Sequence, residues 1–413
     1  MDGAQATGGF KPEVMAQVAP ALKGIIDQGT LSGAVTLVWK SGKVVQTHAL
    51  GQRDVATGQP MTRDTLFRIA SMTKPITSIV IMMLIEEGKL KLDDPVTKWL
   101  PELANMRVLD SATGPLDATS PAVRDITVED LMTHRSGLAY AFTSMGPIAH
   151  AHHEKLGSPL INALGPDAWL KALGELPLTY QPGERFHYSH ATEVLGFLAA
   201  RIEGKSLGEV FQVRIFGPLG MADTCFWLAP EKRDRLAKLY EAPLEGPLKD
   251  VSLPHSDAPS PFEAGGGGLI SSADDYLKFA RMMLGDGEVD GVRLVAPGTI
   301  AAMATNRLTD EQRGHGFMGM PFWLGQGFGL GVSMILDAQK HEWMGAGAEG
   351  SFGWPGAFGT WWQADPANDM ILIYLIQDSM PLGPEAVTAM QGQRPTGRIG
   401  GPMFQKIVYA ALE

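Results

Sequence analysis

Apolar positions along the chain change their period several times. Near the start, Val14, Val18, Leu22 and Ile25 recur at helical spacing within 11–28, which predicts an amphipathic helix opened by Pro12 and bent at Pro20. The pattern then becomes β-rich at 34–39 and 44–50, and Ser41-Gly42 between the runs is a turn signal, so a hairpin is expected. A short third run, 65–69, leads into a strongly apolar helical stretch over 72–87. Pro75 falls in its first turn, where a missing N–H costs little, and Gly88 closes it. Residues 89–225 read as helical patches joined by loops. The patch at 126–133 opens on the capping pattern Thr127-Val128-Glu129-Asp130, and further helices are predicted at 169–176 and 193–203. A loop rich in proline and charge, about 226–268, ends in Gly265-Gly266-Gly267-Gly268. Ser272 caps a predicted helix over 273–284. β-rich runs follow at 327–336, 357–362 and 370–377, and 402–412 closes the chain as a helix with Pro402 at its first position.

Strands thus sit at both ends and helices in the middle. Hairpins rather than βαβ units dominate the ends, so the sheet is expected to be antiparallel. The simplest architecture is α/β (α+β): a discontinuous domain from 8–88 and 265–413, a mostly helical domain from 89–264 inserted into it, and the active site between them. Composition agrees with a packed globular chain, since 45% of the 413 residues are hydrophobic and 19% charged. The net charge of −11 argues against nucleic acid and against docking on an anionic membrane. The longest apolar stretch, around 79–85, is too short to span a bilayer, and no signal segment is visible at the start, so a cytoplasmic location is expected. The one cysteine, Cys225, excludes an internal disulfide and reads as a small buried apolar residue.

The sharpest chemical signal is Ser71-Met72-Thr73-Lys74. On a helix, residues three apart share a face, so a lysine ammonium can reach the serine hydroxyl. A serine at a helix N-terminus also meets free N–H groups and the positive end of the dipole, which favour an alkoxide and a tetrahedral oxyanion. Ser-x-x-Lys occurs often by chance, and its context decides. Here a β-rich run precedes it, a long apolar helix follows, and Pro75 marks the helix start.

The segment Thr65-Leu66-Phe67-Arg68-Ile69-Ala70-Ser71-Met72-Thr73-Lys74-Pro75-Ile76-Thr77 resembles the nucleophile segment of the family VIII carboxylesterases, the esterases related to class C β-lactamases and D-alanyl-D-alanine peptidases. Further segments resemble the family's in the same order: Leu131–Leu138, Pro182–Ser189, Gly265–Leu269 with Ser272–Asp275, and Gly353–Thr360. The resemblance runs from about residue 15 to about residue 410, and segments in order are far more specific than any one alone. It implies a serine β-lactamase-like fold. Ser71 is then the nucleophile, and Tyr188 with Lys74 forms the base. A phenol is ordinarily a poor base at neutral pH, and a neighbouring ammonium stabilises its phenolate. The resemblance also implies an oxyanion hole made by the backbone N–H groups of Ser71 and Ala357, the latter on the strand after Trp354-Pro355-Gly356.

Two departures shape the substrate expectation. The β-lactamases follow this tyrosine with Tyr-x-Asn, whereas this chain has Tyr188-Ser189-His190. An imidazole cannot donate and accept in the geometry of an amide, though His190 remains a candidate contact to substrate or to Lys74. The late Lys-Thr-Gly, whose cation pairs with a substrate carboxylate, is here Trp354-Pro355-Gly356, an uncharged wall assigned to substrate binding. Both departures favour simple esters over β-lactams. Met72, Trp343 and Trp354 are candidates to line an acyl pocket.

Other motifs have simpler readings. Gly204-Lys205-Ser206-Leu207-Gly208 has the form of a nucleophile elbow, but a predicted helix precedes it and Glu209 follows Ser206 by three, which makes a capping box. His150-Ala151-His152-His153-Glu154 lacks metal-site spacing and reads as a solvated loop over the site. His134 is expected to hold a turn, and Gly265–Gly268 to make a tight turn beside the site. The expected protein is a carboxylesterase for short-chain esters that works through an acyl-enzyme without metal or organic cofactor. Its partner is a small-molecule ester, and a homo-oligomer is open. The rivals are a β-lactamase or D-aminoacyl peptidase, and an acyl transferase on the same site.

Overall fold

Strands from the two ends of the chain meet in one sheet. The computed structural model describes residues 8–243, 245–380 and 397–413. The sheet contains β1 (Gly33–Lys40), β2 (Lys43–Asp54), β3 (Gln59–Pro60), β4 (Gln326–Phe328), β5 (Ser333–Ile335), β6 (Phe352–Gly353), β7 (Trp361–Asp365) and β8 (Met370–Leu375). Their spatial order is β4-β5-β6-β7-β8-β1-β2-β3, antiparallel throughout. The seam between the chain ends is β1 against β8, with Val35 opposite Leu375 and Lys40 opposite Met370. Ser41 and Gly42, at φ 47° and 88°, turn β1 into β2; positive φ at both central residues suits the right-handed twist of a tight hairpin.

The helices that frame the sheet and the site are α1 (Val18–Asp27), α2 (Thr73–Glu86), α3 (Ala191–Glu203), α4 (Ala273–Leu284) and α5 (Gly400–Ala411). Every residue of β8 is buried, because the sheet is covered on both faces. Met370, Leu372 and Tyr374 pack with Ala34, Val38, and residues of α1 and α5 on one face. Ile371, Ile373 and Leu375 point the other way, with Val35 and Leu37, into the larger core that takes in α2, α3 and α4. α2 is buried on all sides from Thr73 to Leu84, as expected of a helix apolar around its whole circumference. Among the described residues, 89–264 supplies no strand to the main sheet and instead contributes helices such as Pro147–Leu156 and Pro166–Gly174.

Several elements differ from the sequence expectation, each for a local reason. The opening helix divides into Pro12–Met15 and α1, with Pro20 in the first turn of α1, where no intrahelical bond needs its N–H. The run at 65–69 keeps only Phe67–Arg68 as a strand, paired with Ile270–Ser271. The run at 327–336 folds back on itself as the β4–β5 hairpin, around Gly331 at φ 88°. The run at 357–362 begins as a turn and becomes β7 only at Trp361. The histidine-rich segment at 150–154 lies on the helix Pro147–Leu156 rather than in a loop, with Pro147 opening it. The last helix starts at Gly400, so Pro402 lies third in it. Among the described residues, no helix is long and apolar enough to cross a membrane.

Candidate active site

Ser71 sits in a single 3₁₀ turn, Ala70–Met72, that feeds α2. Ala70 holds a φ of 46°, a left-handed conformation that costs a side-chain-bearing residue energy and persists only when its surroundings enforce it. The enforcing contacts come from three directions. Ile69 N–H donates to Leu269 O at 3.0 Å, and Thr360 Oγ1 donates to Ile69 O at 3.1 Å. Tyr276 on α4 donates its hydroxyl to Met72 O at 2.9 Å, and Leu269 N–H donates to Thr73 Oγ1 at 3.2 Å. Met72 is fully buried by this packing and lies in the core, away from any acyl pocket.

Lys74 is buried one turn along, at 1% exposure. Its Nζ donates to Gly266 O at 2.5 Å, to Ser71 Oγ at 3.3 Å and to Tyr140 Oη at 3.3 Å. It also lies 4.7 Å from the centre of the Tyr188 ring. Tyr188 donates its hydroxyl to Ser71 Oγ at 2.8 Å and accepts from Trp354 Nε1 at 3.1 Å. The Lys74 side chain thus lies over the Tyr188 ring while the Trp354 indole N–H holds its oxygen. The run Gly265–Gly268 forms the turn that offers Gly266 O to Lys74, and Thr77 Oγ1 anchors it by donating to Gly265 O at 2.6 Å.

Two residues at this centre escaped the sequence reading. Tyr140 accepts from Lys74 and donates to both carboxylate oxygens of Glu193, at 2.9 Å each. Glu193 is 1% exposed in α3. Burial pushes its carboxyl up, and Lys74 opposes that shift. Burial and Glu193 push the Tyr140 phenol well up, so Tyr140 stays protonated as the donor. A Cβ at Gly266 would lie 2.3 Å from Glu193 Oε1, so only glycine brings this backbone against the carboxylate. The available signal was a lone acid in the otherwise apolar run Ala191-Thr192-Glu193-Val194-Leu195.

His190 is placed beside this network rather than on the cleft. Its ring packs edge-on against Tyr140 and Trp169 and parallel to His152, with centroids 4.3, 5.1 and 5.8 Å away. Its Nδ1 is 4.0 Å from Glu193 Oε2, and burial holds it well below the ordinary histidine value, hence neutral. Tyr140, not His190, occupies the contact with Lys74.

On the opposite side, β6 ends and the chain turns through Trp354-Pro355-Gly356-Ala357. Trp354 is buried at 2% exposure, Pro355 half-buried. Gly356 N–H donates to Thr360 O at 2.7 Å, and Gly359 N–H to Gly356 O at 3.0 Å. A Cβ at Gly356 would lie 2.0 Å from Thr360 Oγ1 and 2.4 Å from Ile69 O, so glycine here sets how closely this turn approaches the Ser71 segment. Ala357 lies in the turn, not on a strand, and packs against Ala70 and Phe358. Among the described residues, neither the Ser71 nor the Ala357 N–H has a hydrogen-bond partner. A cavity of about 580 Å³ opens beside Tyr188, walled by Phe142, Met145, Phe186 and Phe317, with Arg185 and His315 at its edge.

The remaining candidates have structural surroundings. Ser206 caps the helix Leu207–Phe211: its Oγ accepts from Glu209 N–H at 3.2 Å, and its own N–H donates to Glu209 Oε2 at 2.9 Å. His134, at φ 53°, contacts Ser189 Oγ through Nδ1 at 3.3 Å, and its carbonyl accepts from His187 N–H at 2.8 Å. Burial pushes the Cys225 thiol up to about 11, which leaves it unreactive at neutral pH. Trp343 is exposed.

The Beta-lactamase family model matches residues 18–393. An uncharacterized protein of Mycobacterium tuberculosis is 49% identical over 396 residues, covering 95% of this chain and 98% of that protein. Esterase EstB of Burkholderia gladioli is 31% identical over 385 residues, covering 87% of this chain and 90% of its own. Among solved structures, EstCE1, described as a hydrolase with promiscuous acyltransferase activity, superimposes with a TM-score of 0.77 at 25% identity, covering 96% of this chain and 99% of its own.

Proposed function

The chain belongs to the Beta-lactamase family, and from that footing we propose that it is a serine carboxylesterase whose nucleophile is Ser71. The observation that carries the proposal is the convergence on Ser71 Oγ of Tyr188 Oη at 2.8 Å and Lys74 Nζ at 3.3 Å. The esterase EstB likeness supports an ester as substrate, and the uncharged Trp354-Pro355-Gly356 turn supports an ester over a β-lactam.

In the reactive form the Lys74–Tyr188 pair carries one proton fewer than an ammonium and a phenol together; that pair takes the Ser71 proton, and Oγ attacks the ester carbonyl carbon. The oxyanion that forms is held by the Ser71 and Ala357 N–H groups, each worth about 3 kcal/mol to the transition state. The alcohol leaves with a proton from Tyr188, and a short-chain acyl group stays on Ser71. Water then gives its proton to the same pair, attacks the acyl carbon and frees Ser71. Acyl transfer is the second reading: the cavity of about 580 Å³ beside Tyr188 has room for an acceptor alcohol in place of water.

Hydrolysis of p-nitrophenyl acetate and butyrate tests the proposal. Ser71→Ala is expected to abolish turnover with its circular dichroism unchanged. Ser206→Ala is expected to retain turnover and lose about 1 kcal/mol of stability, as a cap should. Turnover that survives in Ser71→Ala would overturn the assignment.

A further inference from the structure

We propose that Arg68 and the small cavity beside it form a subsite for the terminal carboxylate of a short acyl chain, which makes half-esters of dicarboxylic acids preferred substrates. The inference rests on Ser71 being the ester-cleaving nucleophile.

Arg68 lies three residues before Ser71, on the strand Phe67–Arg68. Alternation along that strand buries Phe67 in the core and turns Arg68 to the opposite face. Its backbone is fixed by Gln377, which accepts from Arg68 N–H at 3.3 Å and donates to Arg68 O at 3.0 Å. The side chain is half-buried, and among the described residues no carboxylate, hydroxyl or carbonyl receives its guanidinium. Burial alone holds its pKa below the ordinary arginine value. The contrast with other half-buried arginines is plain. Arg201 holds Glu102 and Asp167, Arg214 holds Glu87 and Glu203, and Arg235 holds Asp223. In a chain of net charge −11, an arginine beside the nucleophile has been left without an acid.

Arg68 borders a cavity of about 90 Å³ shared with Leu160, Trp227, His255 and Ser260. That volume suits a carboxylate and excludes a bulky group. Glu263, also on the wall, is engaged by Gly208 N–H at 2.7 Å. His255 on the same wall is held below its ordinary value, by burial first and then by Arg68, Arg233 and Lys238; Arg233 and Lys238 meet Asp257 and Asp250, so Arg68 is the cation of the three without an acid among the described residues. The cavity adjoins the reaction centre, since Leu160 also packs in the cluster that covers Ala70. Only Ile69 and Ala70 separate Arg68 from Ser71, and both turn rather than extend, at φ −83° and 46°, so a four- or five-carbon diacid and the arginine stem bridge the two between them. A guanidinium that meets a carboxylate there makes charge-assisted hydrogen bonds in a poorly solvated setting. The turn Trp354-Pro355-Gly356 carries no cation; charge recognition lies on the other flank of Ser71.

The test compares kcat/KM for mono-p-nitrophenyl glutarate and p-nitrophenyl butyrate in the wild type, Arg68→Gln, Arg68→Lys and Ser71→Ala. In both hydrolyses the ester C–O bond breaks, p-nitrophenol leaves and water releases the acid from Ser71. The wild type is expected to favour the glutarate ester, and Arg68→Gln to lower the glutarate-to-butyrate ratio about tenfold. Arg68→Lys is expected to restore part of that ratio, and added salt to reduce it. A ratio equal in wild type and Arg68→Gln, or a wild type that favours butyrate, overturns the subsite and leaves the esterase intact. Should Arg68→Gln fail to fold, free glutarate is expected to compete with butyrate hydrolysis by the wild type in a salt-sensitive way, and its failure to compete overturns the subsite. Butyrate cleavage that persists in Ser71→Ala, or no cleavage of either ester by the wild type, overturns the esterase reading and the subsite with it.

Discussion

At the scale of single residues, the site is a buried lysine shared among oxygen atoms. Lys74 reaches Ser71, Tyr140 and Gly266 O, and Tyr140 passes the contact on to Glu193. Removing the Tyr140 hydroxyl cuts the hydrogen-bonded bridge between Lys74 and Glu193. It leaves Glu193 at 1% exposure without its donor. Tyr140→Phe is therefore expected to lower kcat about tenfold, with a smaller change in KM, and to cost roughly 1–3 kcal/mol of stability. Steady-state kinetics beside urea unfolding checks both, and wild-type kcat in Tyr140→Phe would remove Tyr140 from the positioning of Lys74. The sequence shows part of this centre and hides part of it for a definite reason. Ser71 and Lys74 are three apart, so helical geometry alone brings them together. Tyr188 is 117 residues from Ser71, and only an ordered set of resembling segments links the two. Tyr140 is 66 residues from Lys74 and Glu193 another 53 on, with no spacing that ties them; their meeting is a product of packing between α2, α3 and the loop between.

At the scale of elements, two turns decide whether the site forms: the 3₁₀ turn carrying Ser71 and the turn after β6 carrying Ala357. They are pressed together where Gly356 faces Ile69 O, with Thr360 Oγ1 bonded to that same carbonyl. A methyl group at 356 has nowhere to go, because both neighbours are within 2.4 Å of it. Gly356→Ala is expected to push the Ala357 N–H away from Ser71. The proposed hole then keeps one donor, and kcat falls by about 10²-fold while KM changes little. Pre-steady-state acylation with p-nitrophenyl acetate reads this directly, and an unchanged acylation rate would show that Ala357 N–H plays no part. Elements of this kind are the hardest to read from sequence. The β-rich run at 357–362 predicts a strand through Ala357, because β propensity cannot tell an apolar turn from an apolar strand. By contrast α4, with Ser272 as cap, and the β1–β2 hairpin at Ser41-Gly42 carry their own punctuation and are legible.

At the scale of the whole molecule, the main sheet closes the two chain ends on each other through β1 and β8, and burial follows from covering both faces. That pairing was legible as strands at both ends with helices between. The order β7-β8-β1 was not, because a sheet edge and a sheet centre look alike when every strand is apolar. Such complete burial also encloses histidines. Desolvation lowers His152, His187 and His341 to about 4, and holds His134 and His190 well below the ordinary 6.5. The folded protein keeps these rings neutral down to about pH 4, whereas the unfolded chain protonates them near 6.5. Each folded value is depressed, so the stability is whole above pH 6.5 and drains away as pH falls from there toward 4. Each ring contributes a slope that approaches about 1.4 kcal/mol per pH unit in that window. Carboxylates act lower down: Asp223, held at about 2 by Arg235 and Lys232, loses its contribution only as pH falls from about 4 toward 2. Urea unfolding followed from pH 7 to pH 4.5 is expected to show a steep fall beginning near pH 6.5. His341→Gln is expected to flatten the slope by about one proton, whatever it does to stability at pH 7. Stability that stays level from pH 7 to pH 5 would mean that the buried rings titrate as freely in the fold as outside it, and the packing argument for their neutrality would fail.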